Sequence, residues 1–359
     1  MKRQYLGVLA ILFVVMISLT FLMPHTADAE FKKMKLRAAS IYPSPDVLNS
    51  MGKAMDIWQK EVTKMTDGAV TFENFYGQAL GPGPEHIELV KNGAVDIAQT
   101  FPWYTPGRFP IHSLQYVFPF GPTDPVQLVK ANRRMKKAFP QFRRDEAKQN
   151  VIMVSDAPGG AYDMMSKEPL RTIEDFKGQK VSLIGRYFGL WLPPGATPVV
   201  RPMADRYELV SNGVTTIDLH PFTHFYFTKM HELLKYYAHA KLMAGFHACV
   251  FVNLDVWKSL SPELQEVFIQ AGIVAEDQMV WEVLPYWWDE CVKEFKAAGV
   301  QFSQFPKEEF VKWAATLKDV PAEWAAEISK KGYPGNEIVD RWQEITTSEG
   351  YKWARKWGK

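Results

Sequence analysis

Between Asp46 and Thr66 the apolar side chains fall at Leu48, Met51, Met55, Ile57, Trp58, Val62 and Met65, the stepping of one helix face, and the run stops at Gly68. Short apolar runs without that period flank it: Lys35–Ala39 before and Val70–Phe72 after, both predicting strands. Pro84–Asn92 predicts a short helix and Val95–Ala98 a further strand. This alternation predicts a parallel sheet with helices on its faces. A second set opens at Val151–Val154, with strands at Lys180–Leu183 and Pro198–Val200 and helices between and after. Two such α/β sets predict two lobes.

From Glu263 to about Ala298 the residues Leu264, Val267, Phe268, Ala271, Val274, Met279 and Val283 recur at roughly helical steps, predicting one long helix that crosses both lobes. In the last forty residues Trp324, Trp342, Trp353 and Trp357 stand amid charge, with a turn at Tyr333–Gly335. They predict two further amphipathic helices capping a surface. No internal repeat, low-complexity segment or long linker interrupts the pattern.

The chain has 359 residues and is 47% hydrophobic, enough for one large domain or two ordinary ones sharing a backbone, each able to bury a core. Lys and Arg total 42 against 40 Asp and Glu, and no basic tract is dense enough for a nucleic-acid footprint, so no nucleic-acid partner is expected. Aromatic residues make up 14%, including 12 Trp, which suit both a core and the walls of a small-molecule pocket. At the N-terminus, Lys2 and Arg3 precede an apolar run from Tyr5 to Met23, then Pro24 and Ala27-Asp28-Ala29. This reads as a secretory signal over residues 1–29 cleaved after Ala29, with an uncleaved anchor as the alternative. No Cys follows the run, which argues against a lipid anchor, and no later stretch is apolar enough to span a bilayer. In an oxidising compartment Cys249 and Cys291 are consistent with a disulfide or with two buried thiols, and neither supports a metal site.

Several segments in order carry a family resemblance over about Leu36 to Gly272. They are Trp58–Gly68, Tyr76-Gly-Gln-Ala-Leu-Gly81, Val90–Ala98, Phe109-Pro110 leading to Phe118-Pro-Phe120, Thr172–Gly178, and Asn253–Trp257 followed by Leu260–Leu264. Each is weak alone, but together they resemble the periplasmic solute-binding proteins of TRAP transporters, the DctP-type family. The resemblance implies a bilobal, type II-like periplasmic-binding fold: two α/β lobes around a ligand cleft, with the long helix spanning both. Lobe one would hold 30–156 and about 246–285; lobe two 157–245 and about 286–359 with the C-terminal helices. It also implies a monomeric periplasmic protein, not an enzyme and without a cofactor. Such a protein closes on a small-molecule solute and delivers it to the small and large subunits of an ion-gradient-driven membrane permease. A receptor-linked sensor or a secreted enzyme on the same scaffold are the alternatives; no Gly-x-Ser-x-Gly elbow or Ser-x-x-Lys pair supplies the enzyme's nucleophile.

The chain departs from the family where the solute is gripped. The family's carboxylate-binding Arg after the Lys-Gly turn is Ser182 here, its Gly-x-Arg becomes Gly160-Ala161-Tyr162, and a pocket Asn becomes His220. A guanidinium suits a carboxylate because it donates two parallel charge-assisted bonds, so their loss alters the expected ligand. The favoured expectation is an aromatic or bulky organic acid, with Arg186 replacing the missing charge. The alternative is an amine, quaternary ammonium or neutral solute caged by aromatic faces. Arg201 is a weaker substitute cation.

The expected cleft walls are Tyr42, Trp103 and Tyr104 from one lobe, and Tyr162, Ser182, Arg186, Tyr187, His220, Phe222 and Phe225 from the other. Ordinary packing competes for each aromatic, above all Phe222 and Phe225; a solvated loop charge or an interlobe salt bridge competes for Arg186. His220 and His224 have zinc-ligand spacing, but Pro221 interrupts the helix that spacing needs and no nearby carboxylate or Cys completes a set, so no metal is expected. Gly81-Pro-Gly-Pro84 lacks the Lys-Ser/Thr ending of a phosphate loop and reads as a turn before a helix.

Overall fold

Two long strands carry the chain between two halves of one sheet. The computed structural model of the protein describes residues 31–45, 51–201 and 203–358, and the side chains of Arg186, Ala204, Phe246 and His247 are outside that description. The expected signal segment 1–29, and the expected helix start at Asp46–Ser50, lie outside the described residues.

The first half follows the predicted alternation. β1 (Met34–Ser40) pairs in parallel with β2 (Val70–Phe75) on one side and β3 (Ile97–Thr100) on the other. The helix Lys53–Met65 lies between β1 and β2 in sequence and buries Met55, Trp58 and Val62. β4 is Val151–Ser166, followed by β5 (Lys180–Leu183), β6 (Thr197–Val200), β7 (Ile217–Pro221), β8 (Tyr236–His239), β9 (Ala244–Asn253) and β10 (Gln301–Gln304). In the second half β5 lies between β6 and β7, again in parallel. The main path of the ten-stranded sheet runs β2-β1-β3-β9-β4-β7-β5-β6, with β8 attached to β4 and β10 to β8.

The expectation of a parallel sheet needs correcting at the centre, because β9 is antiparallel to both β3 and β4, and β4 is antiparallel to β7 and β8. The physical reason is connection: a chain that crosses to the second half and returns must traverse the shared sheet in both directions. β4 pairs with β9 from Val151 to Ala161 and with β7 from Tyr162 to Ser166, so one strand serves both halves. Its apolar run ends at Val154 in the sequence, where Ser155, Asp156 and Pro158-Gly-Gly160 look like a terminus. Instead the register shifts between Met153 and Ser155, and again on either side of Pro158, and such irregularities bend a strand without ending it.

The long helix forms. Pro262–Gln278 continues through a π-helical turn at Met279–Val283 into Leu284–Ala297. Its first part packs on the Lys53–Met65 helix and β4, its last on the helix Phe222–Phe227. Trp58 Nε1 donates to the Phe268 carbonyl at 2.9 Å, tying the first part down. A Cβ on Gly272 would lie 1.9 Å from the Val154 carbonyl oxygen, so the helix rests on the backbone of β4.

The two expected C-terminal helices are Val320–Ser329 and Gly335–Ser348, and Lys307–Thr316 precedes them. Trp313, Trp324, Trp342 and Trp357 are buried. Trp313 Nε1 donates to the Trp191 carbonyl at 2.6 Å and Glu309 accepts from the Ile173 amide at 2.9 Å. The Tyr333 hydroxyl donates to Asp145 at 2.7 Å and Arg134 pairs with Glu349 at 2.6 Å. The tail therefore grips segments that flank β4 on both sides in sequence. Cys249 and Cys291 are free, buried thiols. Among the described residues no helix is long and apolar enough to cross a membrane.

Candidate functional site

The loops beyond β1 and β3, β4, the segment following β5, and β7 with the helix after it supply a succession of rings. Tyr42 meets Phe101 edge-on at 5.9 Å between centroids, and Phe101 stacks on Trp103 at 5.0 Å. Trp103 lies 5.6 Å from Tyr116, Tyr116 lies 6.0 Å from Phe188, and Phe188 lies 4.3 Å from Tyr162. Tyr162 continues to His220 at 5.5 Å, and His220 to His224 at 3.9 Å. Side groups of the first half thus reach those of the second through aromatic contact alone.

Close backbone approach seats these rings. A Cβ on Gly83 would come within 2.9 Å of the Tyr104 ring, and one on Gly245 within 2.4 Å of the Tyr116 hydroxyl. Burial pushes the phenols of Tyr42, Tyr116 and Tyr162 up, and that of Tyr104 up to about 12. At neutral pH all four are hydroxyl groups able to donate or accept.

Trp103, Ser113, Tyr116, Ile184, Tyr187 and Phe188 contribute to the lining of a cavity of about 70 Å³. That is room for roughly two waters, so a ring-sized guest enters only if the walls part. Trp103 Nε1 and Ser113 Oγ are buried without a hydrogen-bond partner, which leaves two polar groups for a guest to satisfy.

Beneath His220 lies a buried polar knot. Ser182 is fully buried, with its hydroxyl 2.5 Å from Asp218 Oδ1 and 3.1 Å from the Ile217 carbonyl. Arg206, also fully buried, donates through Nε to Asp218 Oδ1 at 2.8 Å. His224 Nε2 stands 3.4 Å from Asp218 Oδ2. Burial alone would raise the Asp218 carboxyl, but the Arg206 charge together with the His224 and Ser182 contacts outweighs it and holds Asp218 below its ordinary value. Burial lowers His224, which favours its neutral form.

Of the expected wall residues, Trp103 and Tyr187 line the cavity, Tyr42, Tyr104 and Tyr162 belong to the ring succession or abut it, and His220 joins it to the polar knot. Ser182 sits within that knot. Arg186 begins the short helix Arg186–Leu190, and its side chain lies outside the described residues. Phe225 is fully buried against Tyr237, and Phe222 packs on Trp288 and on Gly160, where a Cβ would fall 2.5 Å from its ring. Both belong to the same hydrophobic cluster. Arg201 is exposed and donates to its neighbouring Val200 carbonyl. Among the described residues no group of three or more His, Cys, Asp or Glu is placed to hold a metal ion.

Sequence reasoning missed Phe101, Tyr116, Phe188 and Arg206. For Arg206 a signal existed: it stands four residues before buried Val210 on one face of the helix Arg206–Ser211, a position where a charge is out of place. Tyr116 and Phe188 carried no such mark, since an aromatic within an apolar stretch ordinarily means core.

Residues 45–327 match the family model DctP, bacterial extracellular solute-binding protein, family 7. The ectoine/5-hydroxyectoine-binding periplasmic protein of Ruegeria pomeroyi is 26% identical over 211 residues, 57% of this chain and 60% of that protein. The chain therefore spans about three fifths of that relative's length. A TRAP periplasmic solute-binding protein from Desulfovibrio salexigens, solved with bound orotic acid, is 21% identical with a TM-score of 0.75, covering 88% of this chain and 100% of that one. A marine metagenome TRAP solute-binding protein specific for aromatic acid ligands, solved with 3-hydroxybenzoate, is 22% identical with a TM-score of 0.76, covering 89% and 100%. At these identities the solved structures show the fold, which is the bilobal fold of TRAP solute-binding proteins.

Proposed function

The chain belongs to the DctP family of bacterial extracellular solute-binding proteins, and on that premise we propose that it captures a ring-bearing organic acid between its two halves and hands it to a TRAP-type membrane permease. The observation that carries this reading is the aromatic succession from Tyr42 to His220, built from both halves and bordering a small cavity with unpartnered polar groups. A planar solute fits such walls because stacking and edge contacts reward flat faces, while neutral tyrosine hydroxyls fix its orientation. Relatives in the same fold that hold orotate and 3-hydroxybenzoate support it.

In this reading Tyr42, Trp103 and Tyr104 face the solute from lobe one, and Tyr162, Tyr187 and His220 from lobe two, with Arg186 near the mouth. Ser182 acts from behind the wall. Lobe one comprises 30–156 and about 246–285, and lobe two the remainder of the mature chain. β4, β9 and the long helix are the crossings about which they close. Closure follows from contact with both lobes, since a solute shifts the open–closed equilibrium only by binding one state better. Residues 1–29 direct export and are removed, the mature protein works as a periplasmic monomer without turnover, and the small and large permease subunits are its partners.

A second reading, an amine or neutral solute, is favoured by one observation: the buried Arg206 already has a carboxylate partner in Asp218. Mass spectrometry of the small molecule released on denaturation, with a thermal-shift screen of aromatic acids, short acids and amines, separates the two. An aromatic acid at a hundredfold excess over its dissociation constant stabilises the protein by about 2.7 kcal/mol. Release of an amine, with no response to acids, defeats the first reading.

A further inference from the structure

Arg206 is fully buried, an expensive place for a guanidinium. Its Nε donates to Asp218 Oδ1 at 2.8 Å, and Nη2 donates to the Ser182 carbonyl at 3.1 Å, to the Leu219 carbonyl at 2.8 Å and to Asp218. Nη1 is buried without a partner. The two carbonyls lie near the carboxyl ends of parallel strands β5 and β7, the side on which ligands of open α/β sheets bind. Ser182, small and turned into Asp218, stands where the family resemblance would set an arginine.

We propose that Arg206 is the acid-binding residue of this protein, its Nη1 donating to the carboxylate of the solute, with Asp218 and Ser182 as positioning residues that fix the guanidinium. The proposal rests on the ring-bearing acid reading above. Asp218 gives the empty site a counter-charge, so no lone cation is stranded before the solute arrives, and a charge-assisted bond to Nη1 remains to be made. Arg206 Nη2 bonds the carbonyl of Leu219, the residue before His220, which places its charge beside that end of the ring succession. Toward the other end of that succession Trp103 Nε1 is a donor only, and Ser113 Oγ, on a residue 2% exposed, is likewise unpartnered. A second oxygen acceptor on the ring of the acid, such as a hydroxyl or carbonyl, would satisfy the Trp103 donor.

The test is calorimetric titration of the mature protein with 3-hydroxybenzoate and with its neutral counterpart 3-hydroxybenzamide. The double variant Arg206→Met with Asp218→Asn removes both buried charges together and so avoids leaving one alone. The wild type should prefer the acid, and the folded double variant should lose about 30-fold or more in acid affinity while its amide affinity changes by less than about threefold. If that variant does not fold, Arg206→Lys, which keeps the charge but not the fork, should lose about tenfold for the acid alone. Acid affinity retained in the folded variant overturns the role of Arg206 and leaves the functional reading standing. A wild type that binds the amide and not the acid, or neither, overturns both.

Discussion

Glu146 shows how much one side chain can carry where the chain turns into β4. Its carboxylate meets His112 Nε2 at 3.1 Å and Arg143 Nη1 at 2.7 Å, and accepts from the Met153 amide at 3.0 Å. Burial alone would raise it, but the His112 hydrogen bond and the Arg143 charge outweigh that and hold it down to about 2, from an ordinary 4.5. Because the folded value lies below the unfolded one, its contribution is present above about 4.5 and is lost as the pH falls toward about 2. The shift corresponds to something on the order of 3 kcal/mol. Glu146→Gln should be less stable at pH 7 and should lose less between pH 5 and pH 2.5 than the wild type, read from urea midpoints. Equal acid sensitivity in both would assign the loss to other carboxylates. The His112 pairing was not legible in the sequence, because His112 and Glu146 are 34 residues apart and meet only through the fold. Arg206 differs, since its place on an apolar helix face was visible although its partner Asp218 was not.

At the scale of elements, periodic segments were legible and crossings were not. The helix Lys53–Met65 and the strand Lys180–Leu183 follow directly from apolar spacing. The sequence predicts a strand over Val151–Val154 alone, and only pairing with β9 and β7 keeps β4 extended to Ser166. The long helix was legible in extent but not in its π turn at Met279–Val283, which lies between the part packed on β4 and the part packed on Phe222–Phe227. Its contact with β4 depends on Gly272. Gly272→Ala would set a methyl 1.9 Å from the Val154 carbonyl oxygen and 2.9 Å from its carbon, both backbone atoms that cannot turn aside. The expected cost is about 3 kcal/mol or more, as for an overpacked core, seen as a lowered denaturation midpoint. An unchanged midpoint would mean that helix and strand separate without loss.

For the whole molecule, the tail is the feature whose role depends on everything else. It bonds to Ile173 and Trp191 on one side of β4 in sequence and to Arg134 and Asp145 on the other, and it buries Trp313, Trp324, Trp342 and Trp357. A chain stopped after Lys331 would lose the Gly335–Ser348 helix and uncover the apolar surface it covers, including Ala325, where a Cβ on Gly335 would fall 2.2 Å from the carbonyl oxygen. The truncated protein should melt several degrees lower and associate on size-exclusion chromatography. A truncated monomer with the wild-type melting temperature would make the tail an appendage.

What the sequence determined by itself was local and cumulative: alternating elements, the long helix, the amphipathic tail, and an ordered set of short motifs sufficient for the family. Those follow from spacing, which residues carry wherever they fold. The antiparallel centre, the joining of rings from five separate segments and the burial of Arg206 against Asp218 were decided only by tertiary structure. Each depends on residues far apart in sequence sharing one low-dielectric space, and burial, not residue type, sets what a tyrosine or an arginine does there.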